Sequence, residues 1–97
     1  MPIEVILAQR TAELFSALSD PNRVRIISAL LDQGEMNVSS IAHNLEMSES
    51  AVSHQLRGLR QLRLVQARRE GRQIFYRLDD EHVADLLEQG MEHARHG

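Results

Sequence analysis

Cysteine and lysine are both absent from this chain of 97 residues, and proline occurs only twice. Without cysteine there is no disulfide framework, no thiolate metal site and no cysteine nucleophile. No apolar run approaches the roughly 20 residues that a membrane helix needs. The opening segment, MPIEVILAQR, lacks the basic region and long apolar stretch of a secretory signal, so the expected location is the cytoplasm. Linkers, internal repeats and low-complexity segments are also missing. A hydrophobic fraction of 42% beside a charged fraction of 26% is that of an ordinary globular domain and argues against disorder. At this length a single core fits, so residues 1–97 are read as one domain, and a dimer interface is a natural supplement to so modest a core.

A net charge of −3 at first sight opposes nucleic-acid binding, but the charge is segregated. Between Arg57 and Arg77 there are seven arginines and one acid, Glu70, a local balance of +6, while the remaining residues carry −9. An all-arginine block inside an acidic protein is the pattern of a directed anion-binding surface, because guanidinium forks match phosphate oxygens.

Periodicity and punctuation then order the chain. Apolar residues Ile6, Leu7, Leu14, Phe15 and Leu18 predict a first helix over 4–18 with one broad apolar face. Asp20-Pro21 is a helix start, and the helix it opens carries Val24, Ile26, Ile27, Leu30 and Leu31 before stopping near Gly34. The segment Glu35-Met36-Asn37 reads as a short polar connection. Asn37 caps a helix through Ile41, Ala42 and Leu45, and a turn at Glu46-Met47 leads to Ser48, the cap of a helix from Glu49 to about Leu62. Two short helices joined by a turn of about four residues form a helix-turn-helix, here over about 37–62. After Leu64 the period becomes two: Val65, Ala67 and Arg69 alternate with polar neighbours, as do Ile74, Tyr76 and Leu78, around a tight turn at Gly71. That is a two-stranded wing over about 64–78, followed by a last helix over about 80–96. The expected fold is mainly α: a winged helix-turn-helix with additional N- and C-terminal helices that form a dimer interface.

On a helical wheel of residues 48–61, Val52, Leu56 and Leu59 share one side, and Ser50, Ser53, His54 and Arg57 the other. Small hydroxyls near a helix start allow close approach to a phosphate backbone, and Ser, His and Arg side chains reach base edges in a major groove. Ser48 and Gln55 of the same helix join this candidate DNA-reading set. At the wing tip, Arg68, Arg69 and Arg72 are offered to phosphates or to a minor groove.

Three segments together, Leu18-Ser19-Asp20-Pro21-Asn22-Arg23, Met47-Ser48-Glu49-Ser50-Ala51-Val52-Ser53-His54-Gln55-Leu56 and Gly71-Arg72-Gln73-Ile74-Phe75-Tyr76, resemble the ArsR/SmtB family of bacterial repressors. The likeness runs over about residues 10–96. It implies a homodimer that occupies double-stranded operator DNA and leaves when it binds an inducer, and it points to Ser50, Ser53 and His54 as the positions nearest the bases. Thiolate-using members of that family carry cysteine at the start of the first helix of the helix-turn-helix. Here that segment is Glu35-Met36-Asn37-Val38, so thiolate sensing of arsenite, cadmium or lead is excluded.

The last helix offers other donors, Asp80-x-His82 and His93-x-x-His96. His82, His93 and His96 fall within about 60° of one another on the wheel, bordering an apolar arc of Val83, Leu86, Leu87, Gly90, Met91 and Ala94. His82 and His93 are ~16 Å apart along the helix axis, too far to share one ion, whose ligand atoms each lie ~2 Å from it. Two antiparallel copies across a two-fold axis bring the start of one helix to the end of the other. The expectation is two equivalent sites per dimer, each with Asp80 and His82 from one chain and His93 and His96 from its mate. Three imidazoles and a carboxylate suit Zn(II), and Co(II) by similarity, whereas nickel prefers more ligands. Several members of the resembled family share this arrangement and sense zinc or cobalt with it. Asp79 or Asp80 also serves as the cap of this helix, and His43, inside the helix-turn-helix, reads as a solvated or satisfied histidine.

Ligand imidazoles must be neutral, so a metal response is expected to weaken below about pH 6.5. Three other readings stay open. A repressor of the same fold answering a non-metal signal predicts no stoichiometric zinc. A metal-buffering protein predicts negligible affinity for duplex DNA. A small Ser-His-Asp hydrolase requires a cleft and a positioned nucleophile that serines at helix starts do not supply; the chain is read as a non-enzyme.

Overall fold

Capping chemistry sets the helix boundaries in the computed structural model, which describes residues 2–97. The first helix, α1 (Val5–Ala17), follows Glu4 without a side-chain cap. Asp20 opens α2 (Pro21–Gln33) by accepting the Arg23 backbone N–H at 3.1 Å, with Pro21 at the first helical position, where its missing N–H costs nothing. Gly34 ends α2 with φ at 86°, a conformation in which a side chain is strained. Met36–Asn37 form a two-residue strand, β1. The Asn37 amide oxygen then accepts the Ser40 N–H at 2.8 Å and starts α3 (Val38–Leu45). Glu46 turns the chain through the left-handed region, and Ser48 Oγ accepts the Ala51 N–H at 3.0 Å to start α4 (Glu49–Gln61). Strands β2 (Val65–Glu70) and β3 (Gln73–Leu78) form the antiparallel wing, turning at Gly71, and α5 (Glu81–His96) closes the chain.

The sheet has three strands in the order β1-β3-β2, where the sequence predicts two. Met36 pairs with Tyr76 and Asn37 with Phe75, covering the free edge of β3 at its root. The segment read as a polar connection therefore contains a buried Met36, 7% exposed, which joins the core. Two residues are too few to show a period.

Ile26, Ile27 and Leu30 of α2, Ile41 of α3, and Val52, Leu56 and Leu59 of α4 are completely enclosed. Leu64 and Val65 carry this core into the wing, and Val83 and Leu87 attach α5 to it. The apolar face of α1 divides: Leu14 and Leu18 pack on the core, while Ile6, Leu7 and Phe15 stay exposed. The result fixes α4 and the wing side by side on one flank and leaves α1 and α5 on another.

Candidate nucleic-acid interface and histidine stripe

Burial of Val52, Leu56 and Leu59 fixes the rotation of α4, and the opposite side of the helix follows from it. Ser50, His54 and Arg57 are exposed and Ser53 is half-buried. Ser48 is exposed but holds the first turn of α4 through its hydroxyl. Gln55 lies on the flank facing α2, where its Oε1 accepts a hydrogen bond from Arg23 Nε at 2.8 Å. Gly58, one turn on, leaves room for that guanidinium, since a Cβ there would stand 2.9 Å from Arg23 Nη2. Gln55 is selected from sequence but Arg23 is not, because their bond forms only once α2 and α4 are packed. Arg25 likewise donates to the Leu45 carbonyl at 2.6 Å and ties α2 to the end of α3.

Three elements surround a hollow beside α4. Ser39 at the start of α3, Glu49 and Ser53 on α4, and Arg72, Gln73 and Tyr76 of the wing line it, with Asn37 at its floor donating to Gln73 Oε1 at 2.9 Å. Ser53 and Arg72, selected separately from sequence, thus face one hollow, and Ser39 joins them. A small hydroxyl in the first turn of α3 was the available signal for Ser39, since that same feature selected Ser50 on α4.

The wing arginines are not equivalent. Arg69 and Arg72 are exposed and form no ion pair among the described residues. Arg68 pairs with Glu35 through Nη2–Oε1 at 2.6 Å and Nε–Oε2 at 3.2 Å, and with Glu70 through Nη1–Oε2 at 2.8 Å. Its guanidinium also lies 5.1 Å from the centre of the Phe75 ring. Hydrogen bonds from Arg68 hold the Glu35 carboxyl below its ordinary range against the opposing effect of desolvation, with the charges of Arg68 and Arg77 adding to the first. The same bonds push the Arg68 guanidinium still higher.

On α5 the donors fall into two groups. At the start, Asp80 Oδ1 accepts the Val83 N–H at 3.1 Å, while Oδ2 lies 3.6 Å from His82 Nδ1. At the end are His93 and His96, with His96 Nε2 2.8 Å from Glu92 Oε1. All four side chains are exposed, and among the described residues no three His, Asp or Glu of one chain are gathered for a metal ion. The donor set of imidazole and carboxylate fits a borderline divalent cation such as Zn(II), and its open placement lets both groups meet donors from outside the chain. Beside this stripe an apolar cleft of about 550 Å³ opens between α1, α2 and α5, lined by Phe15, Leu18, Val24, Leu86, Leu87 and Met91.

Residues 20–67 match the model of the bacterial regulatory proteins of the arsR family. The chain is 52% identical over 86 residues to a transcriptional repressor SmtB homolog of Synechocystis, covering 89% of this chain and 64% of that protein. It is 43% identical over 84 residues to a cadmium resistance transcriptional regulatory protein CadC homolog of Staphylococcus aureus, covering 87% and 69%. The chain thus spans about two thirds of the length of these relatives. Among solved structures, the AntR antimony-specific transcriptional repressor superposes with a TM-score of 0.88 at 33% identity, over 100% of this chain and 90% of that one. The homodimeric winged helix-turn-helix DNA-binding domain Mb0332 of Mycobacterium bovis superposes with a TM-score of 0.85 at 33% identity, over 98% and 91%.

Proposed function

The chain belongs to the arsR family of bacterial regulatory proteins, and on that premise we propose that it is a homodimeric, metal-responsive repressor that leaves its operator when Zn(II) or Co(II) binds. Each site takes Asp80 and His82 of one protomer with His93 and His96 of the other. The observation that carries this reading is the division of the donors between the two ends of α5, in a chain whose arginine-rich wing stands beside a helix presenting Ser50, Ser53, His54 and Arg57. Transcriptional regulators that include a cadmium-resistance regulator and an antimony-specific repressor are its relatives; the absence of cysteine directs this chain to imidazole and carboxylate donors instead.

In this scheme α4 enters the major groove with its serines, His54 and Arg57 at the base edges, and Arg69 and Arg72 hold phosphates. Bound metal draws neutral imidazoles and a carboxylate from two protomers to one point, which fixes the two α5 helices relative to each other. The α4 helices, joined to α5 through the common core, then no longer suit successive grooves. Coupling of ordinary allosteric size, ~1–3 kcal/mol, lowers operator affinity about 5- to 150-fold. The protein acts in the cytoplasm, and the genes it controls are those for export or storage of the metal.

The test uses a labelled duplex selected from a random-sequence pool by the wild-type protein, followed by fluorescence anisotropy at about pH 7 and fixed salt. Zinc is expected to release the duplex at one ion per protomer, and the His93→Ala, His96→Ala protein is expected to bind the duplex but ignore zinc. A double variant that still releases DNA with zinc overturns the metal site. Tight binding indifferent to both zinc and cobalt in the wild type overturns this metal sensing and leaves the DNA-binding half standing.

A further inference from the structure

Strand register brings together four groups from separate parts of the chain. Arg68 of β2 stands opposite Phe75 of β3, and Phe75 stands opposite Asn37 of β1. Glu35, just before β1, therefore lies at the sheet edge opposite the one that carries Arg68, with strand β3 between them. The guanidinium reaches across that strand, lying on the Phe75 ring at 5.1 Å and meeting both carboxylate oxygens of Glu35 at 2.6 and 3.2 Å. Two N–H groups on two oxygens make a fork-to-fork pair, which fixes direction as well as distance. Glu70, two residues along β2 and so on the same face, takes the remaining Nη1 at 2.8 Å.

Glu35 and Glu70 together outweigh the single charge of Arg68, and its Nε, Nη1 and Nη2 are each engaged by one of these carboxylates. The neighbouring Arg69 and Arg72 have no such partners among the described residues. We infer that Arg68 is a positioning residue for operator binding, a latch that holds the wing to the α2–β1 junction through Glu35, and that of the three wing-tip arginines only Arg69 and Arg72 attract phosphate. This inference rests on the DNA-binding reading above and replaces the expectation that all three wing-tip arginines reach the nucleic acid.

The two roles make opposite predictions for Glu35. A phosphate-binding Arg68 must first leave Glu35, so removing that carboxylate would tighten DNA binding. A latch loses its anchor by the same change, and binding weakens. The experiment measures affinity for the selected duplex over a range of salt concentrations, using the 97-residue chain and its Arg68→Gln, Glu35→Gln, double, and Arg72→Gln variants, each checked for cooperative melting. Arg68→Gln and Glu35→Gln are each expected to weaken binding about two- to five-fold, the range for loss of an exposed ion pair. The double variant is expected to be no weaker than either single one. The salt slope stays at the wild-type value in all three, whereas Arg72→Gln flattens it by about 0.9 per protomer. The latch is overturned if Arg68→Gln flattens the slope as Arg72→Gln does, if Glu35→Gln binds as tightly as wild type or tighter, or if Arg68→Gln changes nothing. If the wild-type protein selects no duplex at all, the DNA-binding reading itself fails and the latch falls with it.

Discussion

Asp80 holds two positions at once. Its Oδ1 accepts the Val83 N–H and starts α5, while its Oδ2 lies 3.6 Å from His82 Nδ1. Asparagine caps a helix as well as aspartate does, but it brings no carboxylate charge to a cation. Asp80→Asn is therefore expected to melt within a few tenths of a kcal/mol of wild type, while Asp80→Ala loses about 1 kcal/mol with the cap. Both are expected to bind zinc at least about tenfold more weakly, as measured by competition with a chromophoric chelator. Equal zinc affinity in Asp80→Asn and wild type would reduce Asp80 to a cap. The cap was legible in the sequence from the capping preference of aspartate, and ligand spacing selects the same residue for the proposed site. Other single-residue roles were not legible there. Arg68, Arg69 and Arg72 are chemically identical in the sequence. What separates them is Glu35, 33 residues from Arg68, which comes within reach only when three strands are paired in one register. Arg23 and Gln55, 32 residues apart, were hidden for the same reason.

Among the elements, α2, α3 and α4 announce themselves through Asp20, Asn37 and Ser48, each of which accepts the backbone N–H that its type prefers. The wing was legible through alternation around Gly71, whose positive φ suits the turn. Strand β1 was not, since its two residues earn their pairing only from the exposed edge of β3. The Glu35–Arg68 pair sits at this junction and makes it sensitive to acid in a definite direction. Hydrogen bonds from Arg68, aided by the charges of Arg68 and Arg77, lower the Glu35 carboxyl below its ordinary 4.5. A carboxyl depressed on folding contributes stability that is complete above its ordinary value and is lost as pH falls through the lowered one. The gap in melting temperature between wild type and Glu35→Gln is thus expected to stay constant from about pH 7 to 5 and to close as the pH falls below 4.5. Circular-dichroism melts across this range provide the check. A gap that closed between about pH 7 and 6 would assign the effect to a histidine instead.

At the scale of the whole molecule, one chain is an incomplete surface. Its accessible area is 7081 Å² for 11.0 kDa, where a compact monomer of that mass exposes ~5,600 Å². Its radius of gyration is 14.2 Å, against ~12.5 Å for a compact domain of this length. The excess includes Ile6, Leu7 and Phe15 of α1, which are 60, 52 and 53% exposed, and the apolar cleft that Phe15 shares with Leu86 and Met91. The apolar arc of α5, expected to face a partner, is likewise divided, with Val83 and Leu87 buried in the chain's own core; neither this division nor that of α1 shows on a helical wheel, which gives one broad face and not which neighbour covers each part. The arc borders the histidine stripe, so pairing of two chains and completion of a metal site are one event in the proposed function. Phe15→Glu places a charge in the cleft without touching α4, the wing or any of the four proposed ligands. It is expected to sediment as a monomer at concentrations where wild type is a dimer, and to bind the selected duplex at least about a hundredfold more weakly for want of a second half-site contact. It is also expected to lose stoichiometric zinc binding, although Asp80, His82, His93 and His96 are all intact. A monomeric Phe15→Glu protein that binds zinc as tightly as wild type would show that one chain closes the site by itself. The ~16 Å of helix between His82 and His93 makes that possible only if α5 unwinds, and the loss of its helical signal on adding zinc would then be seen by circular dichroism.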